Sequence, residues 1–334
     1  MTLVPHIRVR RASIFALALV GCRPNPVDSP ALDSGPADTS EPEVIPYVAE
    51  EICVIGDGAC ARLDDGGVAC WEPYDTFVLD ISAVRMSCFG GVCVETSSGA
   101  ISCHDWYGDP QPDNLSTPPA DFLPLSDWWL SRHGVAGCGV KDTSQGLCWP
   151  ESLGYTERMV GIQVRHIGFT LPCLMATDTN GRIHSLYRGG EFCAGYPQDP
   201  YYNVGTFGLE TPPEGNDWQS VSGGDYHACA LDGEGKVTCW GLCADELQPD
   251  PDLRFSQLDS AAYATCGVTT DGHIECWGCI DKYIPYDVPT TAGWVQVAMS
   301  EGRACALDLD GQVHCFGNWD ETYTLNDALV EAGK

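Results

Sequence analysis

Around residue 234 the chain switches between apolar and polar positions in a way that predicts paired strands. Leu231 closes a short apolar run, Asp232-Gly233-Glu234-Gly235 interrupts it, and Lys236-Val237-Thr238 resumes it before Cys239-Trp240. Short strands on either side of an Asp/Gly break read as a β-hairpin. The same pattern recurs seven times. In five copies it runs Cys, five residues, Gly, one residue, Val or Ile, one residue, Cys. The glycines are Gly66, Gly99, Gly235, Gly272 and Gly311, and the β-branched residues are Val68, Ile101, Val237, Ile274 and Val313. The glycine falls where a tight turn demands a positive φ, and Val or Ile suits a buried strand. The third copy has Ser144 at the glycine position. The fourth begins at Cys173, carries Ser185 in place of the second cysteine, and keeps Gly181 and Ile183 two places late, as a two-residue insertion in its turn would require.

Each hairpin is preceded by a further strand-like stretch, such as Trp218-Gln-Ser-Val221, Phe255-Ser-Gln-Leu258 and Trp294-Val-Gln-Val297. It is followed by an extended one, such as Tyr286-Asp-Val288-Pro289. That makes four short strands per repeat. First cysteines are 33 to 56 residues apart, so the unit of about 40 residues is the size of one propeller blade. No long amphipathic helical pattern interrupts the copies. The expected fold is all-β, a seven-bladed β-propeller over residues 47–334, stapled by disulfides.

The cysteine spacing supports that architecture. The chain has 19 cysteines. Folding each repeat into a hairpin sets Cys60 opposite Cys70, Cys93 opposite Cys103, Cys138 opposite Cys148, Cys229 opposite Cys239, Cys266 opposite Cys276 and Cys305 opposite Cys315, within reach of cross-strand bridges. Each bridge should stabilise its hairpin by roughly 2–3 kcal/mol. With Cys22 set aside, Cys53, Cys88, Cys173, Cys193, Cys243 and Cys279 remain. The expected partners are Cys173 with Cys193 inside the fourth copy, and Cys243 with Cys279 and Cys53 with Cys88 between neighbouring repeats, for nine bridges and no free thiol. Spacing alone leaves these last three open. An even set at regular spacing points to an oxidising compartment. Two other readings exist: a redox Cys276-Trp-Gly-Cys279, and a zinc site of Cys239, Cys243, Cys276 and Cys279. The first lacks a helix N-terminus to lower a thiol pKa. The second also takes Cys239 and Cys276 out of pairs that four other copies share.

The string Asp225-Tyr226-His227-Ala228-Cys229-Ala230-Leu231, continued by Gly235-Lys-Val237-Thr-Cys239-Trp240-Gly241, resembles the repeat of the regulator of chromosome condensation family. The fifth and seventh copies carry the resemblance best, and it spans nearly the whole expected propeller. It implies a seven-bladed propeller and a habit of binding proteins, and it makes His227 a structural residue of the repeat. The family's Asn-x-x-Gly-Gln-Leu-Gly stretch after Trp-Gly is replaced here by Leu242-Cys243 or Cys279-Ile280, so no exchange-factor residue can be carried over.

Residues 1–21 read as a lipoprotein signal peptide. Arg8, Arg10 and Arg11 precede the apolar stretch Ala12–Val20, and Leu19-Val20-Gly21-Cys22 matches a lipobox, which makes Cys22 the lipidation site. The apolar stretch is too short to span a bilayer. Residues 22–46 are the lipidated cysteine and a tether of Pro, Asp, Ser and Glu, a composition that cannot bury enough surface to fold. The expected position is the cell envelope, lipid-anchored at the outer membrane or cell surface of a bacterium.

The formal net charge is −30. This argues against nucleic acid, which needs basic footprints, and against anionic membranes apart from the lipid. Asp308-Leu-Asp310-Gly311 and Asp178-Thr-Asn180-Gly181 resemble the front of a calcium loop, but both fall at hairpin turns where Asp, Asn and Gly serve backbone geometry. The eight histidines are scattered, and neither Gly-x-Ser-x-Gly nor His-Glu-x-x-His occurs. No catalytic residue, metal or cofactor is assigned. Binding candidates come from the two longest intervals between copies: Trp106 and Tyr107 in one, Tyr201, Tyr202 and Phe207 in the other, aromatics of the kind that binding loops use. Trp128 and Trp129 lie near the repeat's Trp218 and Trp294 position, which makes one of them core. The expected function is a monomeric, non-catalytic binding module for a protein or glycan. The alternatives are an inhibitor of an extracellular enzyme and a carboxylate-dependent enzyme acting on polysaccharide.

Overall fold

The computed structural model describes residues 47–72, 75–88, 91–105, 118, 123, 125–130, 137–149, 159–170, 174–186, 208–245 and 247–319. They form seven antiparallel sheets in chain order. Blade 1 has β1 (Ala49–Ile55), β2 (Gly58–Leu63), β3 (Val68–Glu72) and β4 (Asp75–Leu79). Blade 2 has β5 (Ala83–Cys88), β6 (Gly91–Thr96) and β7 (Ile101–Asp105). Blade 3 has β8 (Asp127–Leu130), β9 (Gly137–Val140) and β10 (Gly146–Trp149). Blade 4 has β11 (Val164–Phe169), β12 (Leu174–Asp178) and β13 (Ile183–Leu186). Blade 5 has β14 (Trp218–Gly223), β15 (His227–Asp232) and β16 (Val237–Gly241). Blade 6 has β17 (Phe255–Ala261), β18 (Ala264–Thr269) and β19 (Ile274–Gly278). Blade 7 has β20 (Trp294–Ser300), β21 (Arg303–Asp308) and β22 (Val313–Gly317). The chain is a seven-bladed β-propeller.

The core is divided into seven wedges, one between each pair of neighbouring blades. Between blades 7 and 1, for example, Ile52, Val54, Leu63 and Trp71 pack on Ala298, Cys305 and Leu307. Between blades 6 and 7, Val268 and Ile274 meet Val297, Met299 and Phe316. One sheet cannot bury both of its faces alone, so the ring is the smallest unit with a complete core.

The stapled hairpins are present. Six disulfides join the predicted cross-strand pairs with Cα–Cα distances between 3.9 and 4.1 Å, the close approach of directly opposed residues. The turn position of the repeat has positive φ in all seven blades, from 61° at Ser144 to 84° at Gly272. Of the five β-branched positions only Val68 and Ile274 are buried, while Ile101, Val237 and Val313 are half-buried.

The fourth copy departs from its expected form. Met175 faces Ser185, and Thr177 faces Ile183, the same register as Cys229 with Cys239 and Leu231 with Val237. The turn is of ordinary length, and no insertion lies in it. Met175 takes the place of the first cysteine, and Cys173 stands two residues before it, outside the described residues.

A fourth strand is described in blade 1 alone. Tyr286-Asp-Val288 is not a strand: it follows a single 3₁₀ turn, Asp281–Tyr283, Asp287 has φ 56°, and Pro285 and Pro289 have no N–H to give a ladder. Among the described residues no helix is long and apolar enough to cross a membrane.

Candidate functional site

The first strand of each blade lines a central channel, with a cavity of about 430 Å³ on the axis. A bulge places the residues that face it. In β1, β5, β11, β14, β17 and β20 the register slips by one residue near the strand start. Each slip re-aims the following side chains. The bulged residues Glu50, Val84, Arg165, Gln219, Ser256 and Val295 are all exposed, as is Ser126 at the same place in blade 3. The next register position holds Glu51, Arg85, Asp127, His166, Ser220, Gln257 and Gln296, and of these Glu51, His166, Ser220, Gln257 and Gln296 line the cavity. The next ring down is Cys53, Ser87, Trp129, Gly168, Ser222, Asp259 and Ala298.

Most of these polar side chains bind the neighbouring blade. Met86 N–H donates to Glu51 Oε2 at 3.1 Å. Arg85 donates to the Ser126 carbonyl at 2.9 Å and pairs with Asp127. The Trp129 ring meets that of His166 edge-on, 4.9 Å between centroids, and Val221 N–H points at His166 Nδ1 from 3.5 Å. Gln257 accepts from Val297 N–H at 2.9 Å and donates to its carbonyl at 3.0 Å, while Met299 N–H donates to Asp259 Oδ2 at 2.7 Å. Gln296 repeats the double contact on Ile52, at 3.1 and 2.9 Å, and so closes the ring. Between blades 5 and 6 the tie lies deeper: buried His227 Nε2 meets Thr265 Oγ1 at 3.0 Å, and Thr265 meets Ser260 Oγ at 2.9 Å. His227 thus has the structural role its repeat position implies.

Burial governs the titration of these groups. It pushes Glu51 above its ordinary value, outweighing the hydrogen bond and charge of Arg62. It pushes His166 and His227 down to about 4, so both are neutral at physiological pH.

The structure joins Cys53 to Cys88 across blades 1 and 2, at the channel wall. Cys53, Cys60 and Cys88 bring their sulfurs within 4.8 Å of one another, a grouping that could suit a metal. All three are already in disulfides, so no thiolate remains to ligate one. Cys243 and Cys279 are not joined to each other; Cys243 is a partly buried thiol held at φ 59° in the turn after β16. Cys239 and Cys276 stay in their hairpins, which removes the zinc and redox readings. Asp308 Oδ1 accepts from Asp310 and Gln312 N–H at 2.9 and 2.8 Å, and Asp178 Oδ1 from Asn180 and Arg182 N–H at 2.8 and 3.0 Å. These carboxylates hold turns.

Of the aromatic candidates, Trp106, Tyr107, Tyr201, Tyr202 and Phe207 lie outside the described residues, as do Cys22, Cys173 and Cys193. Trp128 is core, 4% exposed, with Nε1 donating to Glu95 at 2.6 Å. Its counterparts by register are Val221 and Val297, not Trp218. Trp129 faces the channel.

Residues 218–242 match the family model described as the regulator of chromosome condensation (RCC1) repeat. A comparison with curated protein sequences finds no match. Among solved structures, the chain is similar to the CRINKLY WD40 ectodomain of the Arabidopsis thaliana receptor kinase ACR4: 15% identity, 83% of this chain and 98% of that one, TM-score 0.57. The ectodomain of the Physcomitrella patens receptor kinase CR4 is similar at 16% identity over 81% and 73% of the two chains, TM-score 0.58. The Cps50 (Swd1) β-propeller domain of Myceliophteria thermophila is similar at 10% identity over 80% and 96%, TM-score 0.51. At such identities the likeness concerns the fold. The stapled repeat and the ring of seven blades make this chain a seven-bladed β-propeller, and a segment of its fifth blade matches the regulator of chromosome condensation (RCC1) repeat.

Proposed function

We propose that the chain is a non-catalytic module that binds a protein, held at the cell envelope through Cys22 and the tether of residues 22–46. One observation carries this reading. Polar side chains that line the channel, Glu51, His166, Gln257, Asp259 and Gln296, hold neighbouring blades together. Groups so engaged act as ties. Recognition is then left to the rims, where exposed residues differ from blade to blade on a rigid support. The disulfides favour an oxidising location, and propellers of similar fold form the ectodomains of plant receptor kinases. β13 ends at the rim where the first and second strands of each blade are joined, and the candidates Tyr201 and Tyr202 come after it in the chain.

Crosslinking from intact cells, with the full chain as bait, tests the reading. A protein captured by the wild-type chain and lost on Tyr201→Ala/Tyr202→Ala supports both module and site. Unimpaired capture by that variant removes the site, and recovery of no protein removes the module.

A further inference from the structure

A row of three partly buried tyrosines crosses the rim where first and second strands join, from blade 5 to blade 7. Tyr226 and Tyr263 occupy the same repeat position in blades 5 and 6, three residues before Cys229 and Cys266. Their ring centroids are 5.7 Å apart, with planes tilted by 39°. Tyr283, from the turn Asp281–Tyr283, continues the row at 5.0 Å and 37°. Blade 7 has Gly302 where blades 5 and 6 have tyrosine. A Cβ there would come within 2.8 Å of the Lys282 carbonyl, and its φ is +72°. Glycine makes room for the connecting turn, which supplies from outside the blade the third tyrosine that the repeat position lacks.

Rings packed on one another hold their geometry without a partner, and rigid tyrosines are the usual anchors of protein interfaces. The row already holds one cation: Lys282 Nζ sits 4.5 Å from the Tyr283 centroid. Two exposed acidic residues stand by its last ring: Asp281 shares the turn with Tyr283, and Glu301 precedes Gly302, whose Cβ position lies 3.7 Å from Tyr283 Cα. At the equivalent position in blade 1, Asp57 pairs with Arg303 at 2.8 Å. The rim therefore offers aromatic faces and carboxylates side by side. A guanidinium uses both at once, stacking on the ring and bonding in a fork to the acid, whereas an ammonium is a point charge. The chain's formal charge of −30 attracts basic partners.

We propose that this row is the docking surface for an arginine-bearing segment of a partner protein. The proposal rests on the reading of the chain as a protein-binding module and names its site and the partner's chemistry. The probe is a fluorescein-labelled decapeptide of alternating Arg and Gly, titrated against the full chain by anisotropy. Binding should weaken about 10-fold on Tyr263→Ala and stay within about 3-fold on Tyr263→Phe, which keeps the ring. The same peptide with citrulline for arginine should lose binding. Tyr263→Leu serves as the second truncation if Tyr263→Ala fails to fold, judged by near-UV circular dichroism. Wild-type affinity in the folded Ala or Leu variant, or retention of the citrulline peptide, overturns the proposal. Crosslinking separates it from the reading beneath. A partner captured equally by wild type and Tyr263→Ala ends the proposed site and leaves the module, while capture of no protein ends both.

Discussion

His227 shows how a single buried residue carries a tie between blades and a dependence on pH. It is 1% exposed, and its Nε2 contact with Thr265 spans blades 5 and 6. Burial lowers its pKa, and that of His166, from 6.5 to about 4. Between those values the unfolded histidines bind protons that the folded ones refuse, so stability rises with pH across that window and is lost as pH falls from 6.5 toward 4. Glu51, whose pKa is raised, acts with the opposite sign above 4.5. The urea midpoint of the wild-type chain, followed by tryptophan fluorescence, should therefore drop on acidification through this window. His227→Gln should flatten the slope; an unchanged slope refutes the assignment. The histidine's repeat position was legible from its neighbours Tyr226 and Cys229. Its partner was not, because Thr265 is 38 residues away and belongs to another blade.

The hairpin is the element that the repeat encodes, and blade 4 is the test of what its disulfide adds. Met175 and Ser185 stand directly opposite, in the places that bonded cysteines take in the other six blades. Met175→Cys/Ser185→Cys should close a bridge without backbone movement. Loop closure contributes roughly 2–3 kcal/mol, against a loss of about 1–2 kcal/mol from the two carbons by which a buried methionine exceeds cysteine. The bridge should appear as an intact crosslinked peptide in non-reducing mass spectrometry, with a small rise in melting temperature. Free thiols at both positions would show that blade 4 has a different register. Read from the first cysteine, the fourth copy carried an apparent insertion. Read from Gly181, Ile183 and Ser185, it keeps an ordinary turn, and the φ of +75° at Gly181 shows which anchor the backbone follows.

At the scale of the whole molecule, the ring must bring residues far apart in the chain together. Gln296 binds both the N–H and the carbonyl of Ile52, Ala49 N–H reaches the Gly311 carbonyl at 2.9 Å, and the wedge around Ile52, Trp71 and Leu307 fills the join. Gln296→Ala leaves two backbone groups of β1 unpaired and should cost about 1–3 kcal/mol. Gln219→Ala, on the exposed rim, should change stability by less than about 0.5 kcal/mol. Urea midpoints of the two variants check the contrast, and equal midpoints would mean that Gln296 does not hold the closure.

The sequence alone determined the repeat, the six hairpin staples, the positive-φ turn and the number of blades. All of these are local: strand, turn and strand lie within a dozen residues, and a period of two with a glycine at a fixed place is visible in one dimension. What faces the axis was decided only by the tertiary structure. Glu51, His166, Ser220, Gln257 and Gln296 share a position but not one residue type, and the bulge that aims them leaves no common letter in the chain. The fate of Cys243 and Cys279 and the joining of Cys53 to Cys88 depend likewise on distances between blades. So does the tyrosine row. Tyr226 and Tyr263 are repeat neighbours, but Tyr283 joins them from a connecting turn, over a glycine that leaves it room.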